Sequence, residues 1–461
     1  MTHFPKSARG RSRLTPIALG VALAGVLVAA GVSARARQPN AEYAARRARL
    51  LAQVDAPVVL FGYTGNENTL EFLRFEQEEN FYYLTGHNEE GAAMLLAPLQ
   101  PGEKGGGTRE ILFLPAKNSR EERWNGPRLG PNDPGIEEKT GFRKVLPFSE
   151  LAATVAKLAK EFPKMYTELP GAQDSGYPHA QVWSDWLRKQ APGVQLEDVS
   201  GVIGALRQIK SAGEIALIQR AVDVSVDAQM EAMKMMRPGL YEYQVAARME
   251  FVHADEGCTE EAYAPIVGTG FNSTVLHYDT LEAKIQDGDI VVLDVGCAQD
   301  GYAADITRTL PANGHFTARQ REIYEIVLGA QNAAIAAAKP GMVLTGRGPN
   351  SLFRIAHEYI DSHGKDREGH SLGRYFIHGL SHHIGLDVHD AGDPSRPLEA
   401  GMVFTIEPGI YIPEEKLGVR IEDDFLVTET GVKMLSARLP RNPDEVEAEM
   451  AQGRAAREAR H

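Results

Sequence analysis

Two aspartates lie on either side of a strong turn signal, and this arrangement restricts the fold more than any other feature of the sequence. Asp294 follows a wholly apolar run and Asp305 follows the segment 302–304, with the hairpin dipeptide Asp300-Gly301 between them. A turn centred just before Asp300 places Asp294 opposite Asp305. A turn centred just after Asp300 places Asp294 opposite Thr307 and leaves Asp305 on the same face, because side chains alternate along a strand with period two. In either register two carboxylates share one buried space, which requires a compensating cation or proton.

A second pair of carboxylates follows the same pattern later in the chain. Glu407 follows the apolar segment 403–406, and Glu422 ends the segment Val419-Arg420-Ile421-Glu422. A loop centred between residues 414 and 415 places Glu407 directly opposite Glu422. The alternative is that both pairs are surface carboxylates, which their apolar flanks disfavour.

Four of the chain's 14 histidines fall within one short segment, at positions 378, 382, 383 and 389. A lone histidine is commonly structural, but a group of this density indicates a metal or acid–base site. Four carboxylates with an imidazole predict a site for two divalent ions. Manganese suits that oxygen-rich set best, with zinc, cobalt or iron as alternatives. Two ions about 3.5–4 Å apart can share a hydroxide and polarise a carbonyl, so the sequence predicts a hydrolase.

Composition narrows the class of protein further. The chain has 461 residues, of which 43% are hydrophobic and 24% charged, so a largely disordered protein is excluded. A net charge of −13 argues against a nucleic-acid partner. Cys258 and Cys297 are too few for a disulfide scaffold or a four-cysteine zinc site. Their spacing gives no sign that they pair, and we interpret Cys297 as a thiol packed within a strand.

The pattern of apolar residues along the chain changes near residue 203, which indicates two folded domains. Residues 40–200 alternate helical stretches with short apolar runs that we predict as strands, which is typical of an α/β domain. Those four runs are 57–62, 81–84, 93–97 and 111–114. Residues 203–437 combine long helical segments with hairpins, which predicts an α+β domain. Those helical segments are 213–236, 241–256 and 317–338. The tail, 438–461, is charged and alanine-rich towards its end, where we predict a solvated helix or disorder.

The first 34 residues have the pattern of a secretory signal peptide. Four basic residues precede an uncharged run over 17–32, and Val32-Ser33-Ala34 places small residues at a signal-peptidase site. The alternative is an uncleaved anchor, although the run is shorter than the ~20 residues of a comfortable membrane span. We therefore expect an exported protein, periplasmic or secreted, with no stable membrane partner after cleavage.

The chain closely resembles Xaa-Pro aminopeptidases, members of the "pita-bread" metallopeptidase family. The resemblance covers roughly residues 43–437 and implies a pita-bread fold for the α+β catalytic domain, behind the α/β N-terminal domain. The segments that carry it are TVLHYDT (274–280), LDVGCAQDGYAADITRTLP (293–311), HGLSHHIGLDVHD (378–390), FTIEPGIYI (404–412) and VRIEDDFLVT (419–428). In the first domain, ENFYYLTGHNEEGAAMLL (79–96) and REERWNGPRLG (120–130) also match.

The resemblance implies a role for each residue of the site. The implied metal ligands are Asp294, Asp305, His382, Glu407 and Glu422, with Asp305 and Glu422 bridging two divalent ions. The resemblance, rather than the spacing, selects His382 over His383.

Further roles follow from the same resemblance. It assigns Glu407 as the general base and Arg420 as an orienting partner of the acidic ligands. His277, His378 and His389 would hold the substrate, a proline-containing peptide, and the last two would stabilise the developing oxyanion. Alternatively, Arg420 forms a surface ion pair and His277 is a satisfied core histidine.

Three functions follow, and one departure from the family stands out. The leading expectation is hydrolysis of the N-terminal Xaa-Pro bond by a metal-bridged hydroxide in a homo-oligomeric enzyme. The alternatives are an Xaa-Pro dipeptidase (prolidase) and, more remotely, a non-catalytic peptide-binding relative. The family often has an aspartate where this chain has Asn80, and the change bears on substrate positioning from the first domain.

Export generates the first testable prediction. N-terminal sequencing of the mature protein should begin near Arg35 or Gln38, because the small residues at 32–34 present a cleavage site. Recovery of the intact Met1 on a cytosolic protein would overturn this prediction.

Overall fold

A computed structural model describes residues 37–67, 75–99, 108–171, 179–258 and 260–459 of the chain. The signal-peptide prediction, which concerns residues 1–34, lies outside the described residues. Among the described helices, none is long and apolar enough to cross a membrane.

The N-terminal part folds around one mixed six-stranded sheet in the order β4-β3-β2-β1-β5-β6. Its strands are β1 (Val58–Phe61), β2 (Ala93–Pro98), β3 (Thr108–Leu114), β4 (Lys144–Pro147), β5 (Lys164–Thr167) and β6 (Gln195–Asp198). Its helices are α1 (Asn40–Leu51), α2 (Glu79–Thr85), α3 (Ser119–Asn125), α4 (Ile136–Thr140), α5 (Leu151–Leu158), α6 (His179–Gln190) and α7 (Ser200–Gln208). The strands β1, β2 and β3 pair antiparallel, whereas β4, β5 and β6 join in parallel.

Both faces of this sheet are buried. Val59 and Phe61 of β1 pack on one side with α5 and α6, while Val58 and Leu60 point to the opposite side and join the larger core. This period-two division explains why the strands are continuous apolar runs. Three of the four predicted strands are confirmed.

The fourth predicted strand, 81–84, is wrong, because these residues belong to helix α2. The Glu78 side chain accepts hydrogen bonds from the backbone N–H groups of Asn80 and Phe81, which caps the helix. Gly86, with φ of 60°, ends it in the left-handed conformation. The run is buried on all sides, so it has no periodicity that would distinguish helix from strand.

The second part combines long helices with hairpins. Its helices are α8 (Ala212–Met235), α9 (Glu242–Asp255), α10 (Ala318–Ala337), α11 (Leu352–His363) and α12 (Pro443–Glu458). Its strands are β7 (Glu260–Glu261), β8 (Ile266–Thr269), β9 (Ile290–Val295), β10 (Cys297–Gln299), β11 (Tyr302–Ala303), β12 (Ile306–Pro311), β13 (Val403–Ile406), β14 (Gly409–Ile412), β15 (Leu417–Arg420), β16 (Asp423–Val427) and β17 (Val432–Met434). The three predicted helical segments are confirmed as α8, α9 and α10.

The two hairpins have the registers that the turn signals allow. In the first, Thr307 pairs with Asp294, which is the later of the two registers considered, and Asp300 and Gly301 both adopt positive φ angles. In the second, β13 pairs with β16 and β14 with β15 in one continuous register that places Glu407 opposite Glu422, as predicted. Both glutamates lie where the ladder is interrupted between these strand pairs.

The C-terminal tail is helical but not fully solvated. One face of α12, carrying Val446, Met450 and Gly453, is buried, and the helix packs against α8. A side chain at Gly453 would put its Cβ 2.4 Å from Lys234 Cα, so glycine permits this close approach. The alanine-rich sequence did not predict the contact of α12 with α8, because small residues bury little apolar surface of their own.

The two cysteines form a disulfide between the end of α9 and β10. Their Cα atoms are 6.0 Å apart, and both residues are buried. The interpretation of Cys297 as a free packing thiol is therefore wrong. Pairing of β7 with β10 brings residues 39 positions apart together, which sequence spacing does not reveal.

Loss of this bridge should destabilise the oxidised protein. Replacing both Cys258 and Cys297 with alanine should lower the free energy of unfolding by about 4 kcal/mol, because the bridge closes a loop of some 39 residues. Urea unfolding of the variant beside the wild type, oxidised and reduced, measures the effect. Reduction should destabilise the wild type and leave the variant unchanged. Two titratable thiols in the denatured, unreduced wild type would contradict the assignment.

Candidate metal centre and active site

One cavity of about 520 Å³ collects every side chain that the sequence singled out for the site. Its polar lining includes Asp294, Asp305, His382, Glu407, Glu422, Arg420, His277, His378 and His389. The first five come from two hairpins and one loop that are separated by up to 128 positions in the chain. Tertiary structure thus brings together residues that the sequence could place only on separate segments.

The first hairpin contributes Asp294 and Asp305, and one phenol joins them. Tyr263 Oη lies 2.6 Å from an oxygen of each carboxylate. A phenol has a single proton, so it can donate to only one of them at a time. Both aspartates are buried, and the Asp305 backbone N–H donates to Asp424. The pair therefore retains oxygen lone pairs that face the cavity.

The second hairpin contributes Glu407 and Glu422 at the interruption of its ladder. The Glu407 N–H donates to the carbonyl of Leu380 in the histidine loop, at 2.9 Å. The Glu422 N–H donates to the carbonyl of Thr307 in the first hairpin, at 3.1 Å. These outward-pointing N–H groups thus connect the three elements of the site, and both carboxylates line the cavity.

The histidine loop runs beside β13 and sets the position of His382. Thr405 N–H donates to the His382 carbonyl, and the His382 N–H donates to Thr405 Oγ1. His382 Nε2 then lies 3.4 Å from Asp305, 3.5 Å from Glu407 and 4.0 Å from Glu422. His383 is buried away from the cavity, with its Nε2 3.0 Å from Gln208 Nε2. Of the two adjacent imidazoles, only His382 faces the carboxylates.

The electrostatics of this cluster fit a cationic group. Burial, together with neighbouring carboxylates, raises the pKa of Asp305 and of Glu422, and raises that of Glu407 to about 7. Burial alone would lower the pKa of His382, but its hydrogen bond to Asp305 and the charges around it raise the value to about 9. Glu422 Oε1 is buried and has no hydrogen-bond partner among the described residues. Asp305, His382 and Glu422 offer ligand atoms within 4.8 Å of one another. Oxygen ligands with one imidazole suit divalent manganese or zinc.

Arg420 is buried beside the cluster rather than in a surface ion pair. Its Nη2 donates to Asp294 at 2.6 Å, its Nη1 to Tyr411 Oη at 2.9 Å and its Nε to Thr307 Oγ1 at 3.2 Å. The guanidinium therefore holds the outer oxygen of Asp294 and offsets part of the negative charge.

The three remaining histidines occupy different parts of the cavity. His378 contacts the Gly379 carbonyl through Nδ1 at 2.7 Å and Tyr411 Oη through Nε2 at 2.8 Å. A carbonyl only accepts, so Nδ1 carries the proton and Tyr411 donates to Nε2. The His389 ring lies 4.4 Å from the His382 ring. The His277 side chain lines the cavity while the residue is largely exposed, which excludes a satisfied core histidine.

Sequence reasoning missed three residues that build the site: Tyr263, Tyr411 and Glu242. Tyr411 could have been found, because it follows Glu407 by four positions and shares its strand face. Glu242 is fully buried and accepts four hydrogen bonds from residues between 269 and 283, the segment that carries His277. Neither Glu242 nor Tyr263 has a sequence signal, since each meets its partners only through the tertiary fold.

Asn80, where the family often has aspartate, does not line the cavity. Its side-chain amide donates to Glu168 at 2.6 Å, and its carbonyl oxygen accepts from Arg207 at 2.9 Å. Arg207 in turn donates to Asp387 and Asp390, on either side of His389. Asn80 of the first domain therefore acts on the site through Arg207.

Comparisons with known proteins agree with this geometry. The family described as "Metallopeptidase family M24" matches residues 216–429, and "Aminopeptidase P, N-terminal domain" matches residues 43–166. The Xaa-Pro aminopeptidase of Haemophilus influenzae is 34% identical over 438 residues, which cover 89% of this chain and 97% of the relative. The chain belongs to the aminopeptidase P family of M24 metallopeptidases. It is a hydrolase, and the predicted fold and family are confirmed.

Two further relatives bear on the fold and on the alternative function. A solved structure of zinc-substituted E. coli aminopeptidase P in complex with product is 31% identical, with a TM-score of 0.79, and covers 91% of this chain and 99% of that one. The Xaa-Pro dipeptidase of Pyrococcus furiosus is 37% identical over 298 residues, which cover 62% of this chain and 81% of the relative. Similarity to the dipeptidase thus covers less of the chain.

The phenol between the aspartates generates a prediction. Tyr263→Phe should weaken divalent-metal binding about 10–100-fold, the usual effect of losing a group that orients ligands, while the fold is retained. Calorimetric titration of metal-stripped protein measures the change. Tyr166→Phe is the matched control, because that hydroxyl donates to the Asp55 carboxylate in the N-terminal part, away from the cavity. Equal metal affinity in both variants would show that Tyr263 does not orient the ligands.

Proposed function

We propose that this protein is an Xaa-Pro aminopeptidase, which removes the N-terminal residue from peptides with proline in second position. The observation that carries the proposal is the single cavity in which four carboxylates and His382 converge beneath three further histidines. The names of the relatives that match most of the chain support the same activity.

Two divalent ions would be held by Asp294, Asp305, His382, Glu407 and Glu422. Asp305 and Glu422 would bridge them, as the resemblance implies, and His382 would complete one of the two sites. The ions would supply a water activated at neutral pH and would polarise the scissile carbonyl. The oxygen-rich ligand set favours manganese, with zinc, cobalt or iron as alternatives.

Glu407 would take the proton of the attacking water. Its carboxylate lines the cavity 3.5 Å from His382 Nε2, among the other acidic side chains, where it can accept that proton. The Arg420 guanidinium lies among the same carboxylates and holds Asp294 in place. One carboxylate would thus handle the proton while its neighbours stay fixed.

The histidines would hold the substrate. His389 is the freer donor, because no hydrogen bond to its ring is found among the described residues, whereas both ring nitrogens of His378 are engaged. His277 also lines the cavity, on the segment held by Glu242. A donor at His389 would bind the carbonyl oxygen as negative charge develops on it.

The chemistry of proline explains the apolar part of the cavity. A proline nitrogen has no hydrogen to donate, and the ring restricts the backbone, so recognition depends on the ring itself. Ala264, Ile266, Leu276 and Val388 supply apolar lining beside the polar cluster. This combination suits a peptide with a ring next to the bond that is cleaved.

An Xaa-Pro dipeptidase is the second candidate, since the Pyrococcus furiosus relative is 37% identical over the region that it shares with this chain. The match of residues 43–166 to the aminopeptidase P N-terminal domain favours the aminopeptidase. Side-by-side hydrolysis of an Xaa-Pro dipeptide and an Xaa-Pro-Xaa tripeptide separates them. Cleavage of the dipeptide alone would favour the dipeptidase.

We also infer that the enzyme acts outside the cytoplasm. The basic start and uncharged run of residues 1–34 support export. The buried disulfide between Cys258 and Cys297 supports it as well, because disulfides persist in oxidising compartments.

The metal centre generates a prediction for Glu407. Metal analysis of reconstituted wild-type protein should approach two ions per chain. Glu407→Ala should abolish turnover, because it removes both a ligand and the base. A variant that keeps more than about a tenth of wild-type kcat, a loss of at most ~1.4 kcal/mol, would show that the assignment is wrong. Full activity in protein that contains no metal would refute the metal centre itself.

His389 generates a separate prediction about substrate. His389→Ala should leave metal content nearly unchanged and lower kcat/KM for an Xaa-Pro-Xaa peptide by about 100-fold or more, the scale for losing a positioned donor. His315→Ala is a suitable control, since His315 is exposed and lies outside the cavity. Parallel loss of metal and activity would make His389 a ligand or structural residue, and unchanged kinetics would exclude any role in the reaction.

A further inference from the structure

A second cavity, of about 410 Å³, lies where the C-terminal helix α12 meets the end of α8. Three arginines line it, one from the segment after α8 and two from α12: Arg237, Arg454 and Arg457. Met236, Pro238 and Met450 form the apolar part of the same lining. The cavity is unrelated to the metal centre, with which it shares no residue.

The three guanidiniums have no ion-pair partner within the part of the chain that the structure describes. Arg237 donates to the Met235 carbonyl at 3.2 Å, Arg454 to the Asn313 carbonyl at 3.0 Å, and Arg457 to the Lys234 carbonyl. A guanidinium has five N–H donors, so each keeps most of its capacity for other acceptors.

The negative end of helix α8 balances only part of the positive charge of the three arginines. The carbonyls of Lys234 and Met235 belong to the last turn of α8, where the helix dipole amounts to about half a negative elementary charge. Glu458 also lines the cavity and adds one negative charge. Three guanidiniums therefore remain under-compensated. Burial and the nearby charges of Arg237 and Arg454 accordingly lower the pKa of Arg457.

Two glycines allow the arginines to come close to this cavity. The close contact of Gly453 with Lys234 brings α12 against the end of α8, which positions Arg454 and Arg457 over the cavity. Gly314 has a φ of 86°, and a Cβ there would lie 3.1 Å from Arg454 Nη1. The close packing on both sides holds the guanidiniums around one space instead of letting them diverge into solvent.

We propose that this cavity binds a phosphate group. Guanidiniums pair with phosphate through two parallel hydrogen bonds, and a phosphomonoester carries close to two negative charges at neutral pH. The volume exceeds what a bare phosphate ion fills, and the apolar lining suits a group attached to the phosphorus. That group belongs either to a soluble phosphomonoester or to a phospholipid headgroup.

Calorimetric titration of the metal-loaded enzyme with inorganic phosphate and with phenyl phosphate tests the soluble source. The variant Arg237→Gln/Arg457→Gln removes one arginine from each side and leaves the contact of Arg454 with Asn313. The control Arg188→Gln/Arg367→Gln removes the same charge from two exposed arginines that are paired with carboxylates. Binding at the metal centre is common to all three proteins, so the difference between them reports the arginine cavity.

Co-flotation with vesicles of phosphatidylethanolamine and phosphatidylglycerol tests the headgroup source. A soluble ligand is supported if the cavity variant binds inorganic phosphate or phenyl phosphate at least tenfold more weakly than the control does. A phospholipid headgroup is supported if the control floats with the vesicles and the cavity variant does not. Equal behaviour of the two variants in both assays would overturn the proposal. Peptidase activity should stay within twofold of wild type throughout, and Arg454→Gln replaces the double variant if the latter does not fold.

Discussion

Mutual repulsion among four carboxylates, three buried and one half-buried, is the constraint on which the rest of the structure depends. Asp294, Asp305, Glu407 and Glu422 line one cavity, and burying such charges without compensation costs several kcal/mol. The protein compensates with groups that hold the outer oxygens, chiefly Arg420 on Asp294 and the hydroxyl of Thr307 on Glu422. The inner oxygens remain turned towards the cavity. A chain that relieved the repulsion by spreading these side chains would lose the site.

The backbone of the second hairpin helps to hold these carboxylates together. Glu407 and Glu422 face each other as a non-hydrogen-bonded pair, since in the same register the ladder's hydrogen bonds fall on Met402 with Val427 and on Pro408 with Ile421. The N–H groups of the two glutamates therefore point outwards and donate to Leu380 and Thr307, which joins the hairpin to the histidine loop and to the first hairpin. The same two hydrogen bonds that satisfy the backbone therefore also fix the distances between carboxylates and His382.

Support for the cavity extends well beyond the residues that line it. Glu242 holds the segment of His277, and Arg207 holds the two aspartates beside His389. The disulfide secures the start of the segment that leads to Tyr263. Each support comes from a different element, which is why the site needs both hairpins, the long helices and a contact with the first domain.

Sequence alone determined the two hairpins, the register of the second, the two possible registers of the first and the identity of the acidic residues, because turn residues and period-two alternation are local properties. It also carried the resemblance that named the family. Local signals could not separate a buried helix from a strand at 81–84, pair Cys258 with Cys297, or find Tyr263 and Glu242. Only the tertiary structure decided these, and it alone turned His382 rather than His383 into the cavity. The physical reason is the same in each case: the partners are far apart in the chain, and their contacts depend on packing and burial that arise only when the whole fold forms.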